Sequence, residues 1–401
     1  MRGSVEGVDA EHWVLTTDEG RTLLDKVGSV ATPGPGDVAR WRSRAEPAHV
    51  TAALRLVEAR RKGKTKFSRA DRMWLETTGI EQATAEPVAR HKAGRFAGRC
   101  GVAVDLCSGV GGDALALAAA TDGVLAVDLD PGMARRLLWN ADVYGVAGRI
   151  LPVRSRAESF PVQAGAWVHV DPDRRAHVGA RARTVADYAP GLSFLRALAA
   201  KVPAGAIKLG PASDFAEHFG GAGYEAEVVS LAGECKEVTV WFGAAATCRR
   251  RATVLPGGTT WTDRDADPGA RIPINPPGAW VFDPDPALIR SGLLDGYAAA
   301  HRLSRFAAGV DYLTGPDRIT SPFLAAFEVL DILPLDLKRV RRALAERGVG
   351  PLEIKTRGVS HRPEELRTRL RLSGDRPATL ILAGGHGPAQ AVIASRVTDG
   401  R

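Results

Sequence analysis

The stretch VAVDLCSGVGGDALALAAA, residues 102–120, followed by VLAVDLDP, residues 124–131, decides the fold of the middle of this chain. VAVDL carries an acid, Asp105, near its end, and the pattern then breaks into Cys107-Ser108-Gly109-Val110-Gly111-Gly112. Alanine and leucine resume at Ala114 without a breaker, so the segment reads strand, glycine loop, helix. Glycines at the carboxyl end of a first parallel strand let a ligand approach the backbone where a Cβ would clash. The helix N-terminus behind them offers unpaired N–H groups and a positive dipole end, which suit a carboxylate. VLAVD ends on a second acid, Asp128, about 20 residues past the loop, where a βαβ unit holds a ribose. The residues predicted to face a ligand are Asp105, Cys107, Gly109, Gly111, Asp113, Asp128 and Leu129.

Outward from there, short apolar strands alternate with helices, the mark of a parallel sheet. ILPV (150–153), WVHVD (167–171) and AIKLG (206–210) read as strands three to five. YEAEVVS (224–230) and KEVTVWFG (236–243) are separated by a short glycine-containing loop and pair as an antiparallel hairpin. Helices are expected from Pro131 to about Tyr144, near Leu192–Lys201 and near Ser213–Phe219. Gly109-Val110-Gly111-Gly112-Asp113-Ala114 formally matches the dinucleotide pattern G-x-G-x-x-A. In that form the first glycine follows the strand almost directly, whereas here three residues separate it from Asp105, and the terminal hairpin is foreign to the dinucleotide fold.

With these features the run VAVDLCSGVGGDALALA and VLAVDLDP resembles the class I S-adenosylmethionine-dependent methyltransferases. D-x-x-x-G-V-G-G is similar to the RNA cap guanine-N2 (trimethylguanosine synthase-like) branch. IEQATAEPVARHKAGRF (80–96) resembles the segment before the fold in bacterial methyltransferases that carry a C-terminal THUMP-like domain, and residues from about Phe327 to Val397 resemble that domain. The resemblance implies an α/β fold: a seven-stranded Rossmann-like methyltransferase sheet, an N-terminal helical region and a small C-terminal α/β THUMP-like domain. It implies S-adenosyl-L-methionine as cofactor, with Asp105 accepting from its ammonium and Asp128 from both ribose hydroxyls. Cys107 departs from the family by standing where the first glycine usually lies, as cap-type enzymes also do. The expected organisation is a helical region 1–95, the methyltransferase domain 96–243, a β unit and linker 244–325 and the THUMP-like domain 326–401.

Strand four ends in Asp171-Pro172-Asp173-Arg174-Arg175, the position beside the transferred methyl in this fold. Amino-group methyltransferases carry (Asn/Asp/Ser)-Pro-Pro-aromatic there, so Asp173 and Arg174 replace the second proline and the aromatic. A flipped base would then need Trp167, Tyr188 or Trp74 as its stacking partner. Asp171, Lys208 and Glu237, with Lys92 as a first lysine, also occupy the places of the Lys-Asp-Lys-Glu tetrad of ribose 2′-O-methyltransferases, in which a lysine among carboxylates orients a hydroxyl. His169 on the same strand reads as a core histidine. Asn275-Pro276-Pro277-Gly278 lies beyond the fold and reads as a turn. Uracil-C5 chemistry needs a cysteine nucleophile near strand five or six; Cys235, the one candidate, is placed in the hairpin loop, which argues against that chemistry.

The 401 residues exceed one ordinary core, and 45% apolar with 25% charged residues is a globular balance. No apolar run is long enough for a bilayer and no signal-peptide stretch opens the chain, so neither membrane association nor export is expected, and the cytoplasm is. The 4 cysteines show no zinc-ligand spacing and read as reduced thiols, so no metal is expected. A net charge of +8 suits a polyanion. Arg60, Arg61, Lys62, Lys64, Lys66, Arg69 and Arg72, interleaved with Phe67 and Trp74, form either an exposed helix face with inward aromatics or a nucleic-acid-facing ridge. Arg339, Arg341, Arg342, Lys355, Arg357, Arg367, Arg369 and Arg371 would add phosphate contacts. The reading is a methyltransferase acting on structured RNA, tRNA or rRNA, at a base nitrogen or ribose hydroxyl. A small-molecule methyltransferase and a catalytically inactive RNA-binding protein are the alternatives.

Overall fold

The computed structural model describes residues 2–173, 187–267, 269–385 and 387–397, with side chains in the first helix from Gly7 onward. The chain divides into two compact units, Met1–His218 with Val240–Ala246, and Phe219–Thr239 with Thr247–Arg401.

The first unit opens with α1 Arg2–Thr16, α2 Asp18–Gly28, α3 Pro35–Arg42, α4 Pro47–Gly63, α5 Thr77–Gln82 and α6 Glu86–Ala93. Proline begins α3 and α4, where its missing N–H costs nothing. Leu23, Leu24 and Val27 of α2 meet Val50, Ala53 and Val57 of α4 in one buried cluster, as the apolar spacing requires. The basic stretch is largely occupied within the fold. Arg61 donates to the carbonyls of Gly28, Val30 and Ala31, and Lys66 to those of Ile80, Glu81 and Ala83. Arg60 reaches Met73 O and Arg69 reaches Val143 O. Most of these carbonyls lie at helix ends, which leave them without intrahelical partners. Phe67 and Trp74 are buried, so the stretch offers no stacking ridge.

The alternating part follows: β1 Val102–Leu106, α7 Gly112–Ala120, β2 Gly123–Asp128, α8 Pro131–Tyr144, β3 Ile150–Arg154, β4 Trp167–Val170, α9 Leu192–Lys201, β5 Ala204–Leu209 and α10 Phe215–Phe219. The strands lie in the order β3-β2-β1-β4-β5, all parallel. Every position of β4 and β5 is buried, as a sheet covered on both faces requires. The order reverses between β1 and β4, which opens a crevice at their carboxyl ends. Fully buried Asn140 of α8 fastens the glycine loop to the N-terminal helices. Its amide donates to the carbonyls of Val110 and Trp74 at 3.0 and 3.2 Å and accepts from the Trp74 N–H at 2.8 Å.

Next come β6 Tyr224–Leu231 and β7 Glu234–Gly243, of which Glu234–Thr239 belongs to the second unit and Val240–Gly243 to the first; the second unit continues with β8 Arg250–Leu255, β9 Thr259–Thr262, β10 Trp280–Pro284, α11 Pro286–Arg290, α12 Leu294–Ala300, β11 Ser304–Arg305 and β12 Leu313–Gly315. It ends with β13 Leu324–Pro334, α13 Leu337–Glu346, β14 Val349–Arg357, α14 Pro363–Leu370, β15 Arg376–Ala383 and β16 Gln390–Arg396. Ala232 and Gly233, at φ 52° and 81°, make the tight turn between β6 and β7. Cys235 is therefore a strand residue and not a loop residue as expected. Burial and neighbouring carboxylates push its thiol up to about 11, which suits no nucleophile at neutral pH. The strand count also needs correction: the sheet has nine strands rather than seven. β8 pairs parallel with β6 and β9 antiparallel with β8, which covers an edge that β6 would otherwise expose. The Asn275–Gly278 segment precedes β10, and its Gly278 N–H donates to Thr314 Oγ1. A separate seven-stranded sheet runs β11-β12-β10-β13-β16-β15-β14. Lys355 and Arg357 both pair with Asp283 inside it, whereas Arg339, Arg341, Arg342, Arg367, Arg369 and Arg371 are exposed.

Asn140→Ala leaves three backbone groups without partners, so unfolding stability is expected to fall by on the order of 3 kcal/mol. Urea denaturation checks this, and an unchanged midpoint contradicts the fastening role.

Candidate functional site

A cavity of about 390 Å³ opens at the crevice. The ends of β1 to β4 and the loops after them supply Asp105, Cys107–Val110, Gly112, Asp113, Asp128–Asp130, Ser155–Glu158 and Asp171–Asp173, and the N-terminal region closes it with Glu76, Thr78, Gly79 and Gln82–Thr84. Of the residues expected to face a ligand, Asp105, Cys107, Gly109, Asp113, Asp128 and Leu129 line it, and Gly111 shapes the loop from behind. Gly111 has φ 99°, and a Cβ there would lie 2.4 Å from Leu137 Cδ1. Cys107 adopts φ 64°, the left-handed conformation that glycine takes most easily, and its N–H donates to Val127 O at 2.8 Å. Burial, with carboxylates around it, raises the Cys107 thiol far above the ordinary range, so it stays protonated. Asp128 accepts from the Gly109 N–H at 2.8 Å on one oxygen and the Asp130 N–H at 2.9 Å on the other. Each oxygen keeps a further lone pair for a hydroxyl. Leu129 is 55% exposed, an apolar side chain presented to the cavity.

Beneath the loop four ionisable side chains are buried together. The β1–β4 register sets Asp105 beside His169, whose Nδ1 lies 2.6 Å from Asp105 Oδ1. His169 Nε2 lies 3.3 Å from Lys92 Nζ, and Lys92 pairs with Asp113 Oδ1 at 2.9 Å. Thr84 Oγ1 donates to Asp113 Oδ2 at 2.6 Å. Lys92 and His169 hold the Asp113 carboxyl well below the usual range despite its burial. Burial pushes Asp105 up, and the carboxylates of Asp113 and Asp105 raise His169. Asp105 Oδ2 is buried with no hydrogen-bond partner among the described residues.

At the other end of the cavity Lys208 Nζ donates to Asp171 Oδ2 at 2.6 Å and to Gln82 O at 2.9 Å. Gln82 Nε2 donates to Asp173 Oδ1 at 3.0 Å. Asp171, Pro172 and Asp173 line the cavity; Lys208 and Lys92 do not. Lys92 is engaged with Asp113 and His169, while Lys208 pairs with Asp171. Glu237 belongs to the second unit, where its carboxylate accepts from Thr239 Oγ1 at 2.9 Å. Arg174 lies outside the described residues. Trp74, Trp167 and Tyr188 are all buried, the last accepting the Gly210 N–H on its hydroxyl oxygen at 3.1 Å, and no aromatic ring lines the cavity among the described residues.

Residues 100–183 match the RNA cap guanine-N2 methyltransferase family, and residues 324–396 the THUMP domain-like family. A Mycobacterium tuberculosis (strain H37Rv) protein described as an uncharacterized S-adenosylmethionine-dependent methyltransferase is 37% identical over 317 residues, covering 77% of this chain and 84% of that protein. The chain belongs to the S-adenosylmethionine-dependent methyltransferases. A crystallised candidate methyltransferase from Porphyromonas gingivalis W83 shares the fold of the methyltransferase, with a TM-score of 0.75, 18% identity and 98% of each chain covered. No helix among the described residues of the methyltransferase is long and apolar enough to cross a membrane.

The cradle fits S-adenosylmethionine on its own chemistry. The orphaned Asp105 oxygen suits an ammonium, the uncapped N-terminus of α7 suits a carboxylate, and Asp128 suits ribose hydroxyls. Sequence reasoning missed Gln82 and Thr84, which reach the site from the N-terminal helices, the Ser155–Glu158 wall, and the part His169 plays. Alternation along β4 marks His169 as inward but does not say what it meets.

Gly111→Ala combines a disfavoured φ with a Cβ set 2.4 Å from the Leu137 side chain, so the methyltransferase variant is expected to lose S-adenosylhomocysteine binding in calorimetry. Cys107→Gly keeps the conformation already present and is expected to bind within about threefold of wild type. Equal losses in the two variants contradict this reading of the loop.

Proposed function

We propose that this methyltransferase acts on RNA, with a base amino nitrogen of a structured tRNA or rRNA as acceptor. The observation that carries the acceptor chemistry is the pair of carboxylates, Asp171 and Asp173, on the cavity wall after β4. Bound S-adenosylmethionine supplies an electrophilic methyl group on a sulfonium sulfur. Asp171 accepts an N–H from the acceptor and turns the nitrogen lone pair toward that methyl. The new N–C bond forms as the C–S bond breaks, and the departing proton passes to the carboxylate or to water. Lys208, held by Gln82 O, fixes the Asp171 rotamer. The chain's contribution is mainly proximity and orientation.

Support for RNA comes from the match to the cap guanine-N2 family, the THUMP-like match and the exposed arginines of α13 and α14. Two side chains expected among the phosphate contacts, Lys355 and Arg357, face Asp283 and contribute less. The two lysines outside the cavity wall favour an amino acceptor over a ribose hydroxyl.

Asp171→Asn is expected to lower methyl transfer by about a hundredfold or more while S-adenosylhomocysteine affinity stays within about threefold. A parallel loss of affinity assigns Asp171 a structural role. Tritium transfer from labelled S-adenosylmethionine to RNA of a strain lacking this protein, followed by nucleoside mass spectrometry, tests the substrate. Label in a base-methylated nucleoside supports the reading. Label in a 2′-O-methyl nucleoside, or only in an RNA-free metabolite extract, overturns it. Gel shifts with tRNA and rRNA at two salt concentrations are expected to show salt-sensitive binding.

A further inference from the structure

We propose that His169 is the positioning residue that makes the cofactor's amino-acid end decide binding: it holds Asp105 Oδ1 so that Oδ2 faces the incoming ammonium. The inference rests on the cofactor alone, so it stands or falls separately from the RNA acceptor.

A carboxylate on a strand tip has two equivalent oxygens and can turn about its own axis. Here the turn is fixed. Neighbouring parallel strands place His169 beside Asp105, a residue of the cavity wall, and the 2.6 Å contact engages one oxygen while the other is buried without a hydrogen-bond partner. An acceptor buried that way is costly until a donor reaches it, and a cation answers it best. Of the cofactor's groups, the ammonium is the one that supplies N–H donors with positive charge.

His169 is itself held from behind. Lys92 of α6 faces its Nε2, Asp113 of α7 lies 3.9 Å from the same nitrogen, and β5 sets uncharged Ala206 beside it in register. With a proton on Nδ1 for Asp105 and Nε2 turned to the Lys92 ammonium, hydrogen bonds link Lys92, His169 and Asp105, and an ion pair joins Lys92 to Asp113. Charges then sum to one negative in excess, which the ammonium neutralises. With His169 doubly protonated the line is already neutral, and the raised affinity of His169 for its second proton marks the ammonium and that proton as competitors for the same buried acid. In either protonation state the ring governs the amino-acid end and has no contact with the ribose acid Asp128 among those described.

The test compares S-adenosylhomocysteine with 5′-methylthioadenosine, which keeps the nucleoside and sulfur but lacks the ammonium and carboxylate. Titration calorimetry is run on wild type, His169→Leu and His169→Asn. His169→Leu is expected to lose about tenfold to a hundredfold in S-adenosylhomocysteine affinity, the worth of a charge-assisted hydrogen bond, with 5′-methylthioadenosine affinity unchanged. His169→Asn, which restores an N–H near Nδ1, is expected to recover most of the loss. Equal losses for both ligands, no loss for either, or no recovery in His169→Asn overturns the assignment. If the leucine variant does not fold, ¹⁵N spectra of histidine-labelled wild type decide. The His169 ring signals, identified by their absence in His169→Asn, are expected to move with S-adenosylhomocysteine and not with 5′-methylthioadenosine; equal movement with both, or with neither, overturns it.

Discussion

Pairing charges away from water is the constraint on which the site of this methyltransferase depends. Asp105, Asp113, Lys92 and His169 are each nearly inaccessible to solvent, and none would remain charged there alone. They come from β1, α7, α6 and β4, so each element must arrive in one register and one rotation for the set to close. Removing a partner from such a set is far more costly than its net gain in stability would suggest, because the remaining charge stays buried. The glycine loop sits directly on this platform, and Asn140 ties the loop from its other side. The cradle is therefore shaped before any cofactor arrives.

Much of this was legible from local pattern. A strand ending on an acid, a glycine run and a second acid after the next strand are all short-range features, and the structure places Asp105, Gly109 and Asp128 around one cavity. Strand register was not legible, because the spacing between β1 and β4 says nothing about which residue meets which. Asp105 and His169 are 64 positions apart, and only the fold makes them neighbours. Gln82 and Thr84 were missed for a related reason: the run 80–96 that holds them marks the family but says nothing about which of its side chains reach the cavity. The basic stretch misled in the opposite direction. Arg61 and Lys66 look like a ridge in one dimension and serve as caps for helix ends in three.

The acceptor side is built more openly than the cofactor side. Asp171 and Asp173, the proposed acceptor contacts, line the cavity wall, and no aromatic ring joins them among the described residues. Such a wall can orient an amino group but holds a flat base weakly. The exposed arginines of α13 and α14 in the second unit offer charge without base selectivity.

The contribution of α5 and α6 to the cavity has an evolutionary consequence. A conventional cut just before β1 would carry away Lys92, Thr84 and Gln82. Recombination that transplanted the sheet alone would deliver Asp113 without its counter-ion and a cavity lacking one wall. The N-terminal helices and the sheet therefore form a single heritable module. Inserted loops can be exchanged around it, but its front half cannot be traded for another adaptor without rebuilding the floor beneath the cofactor.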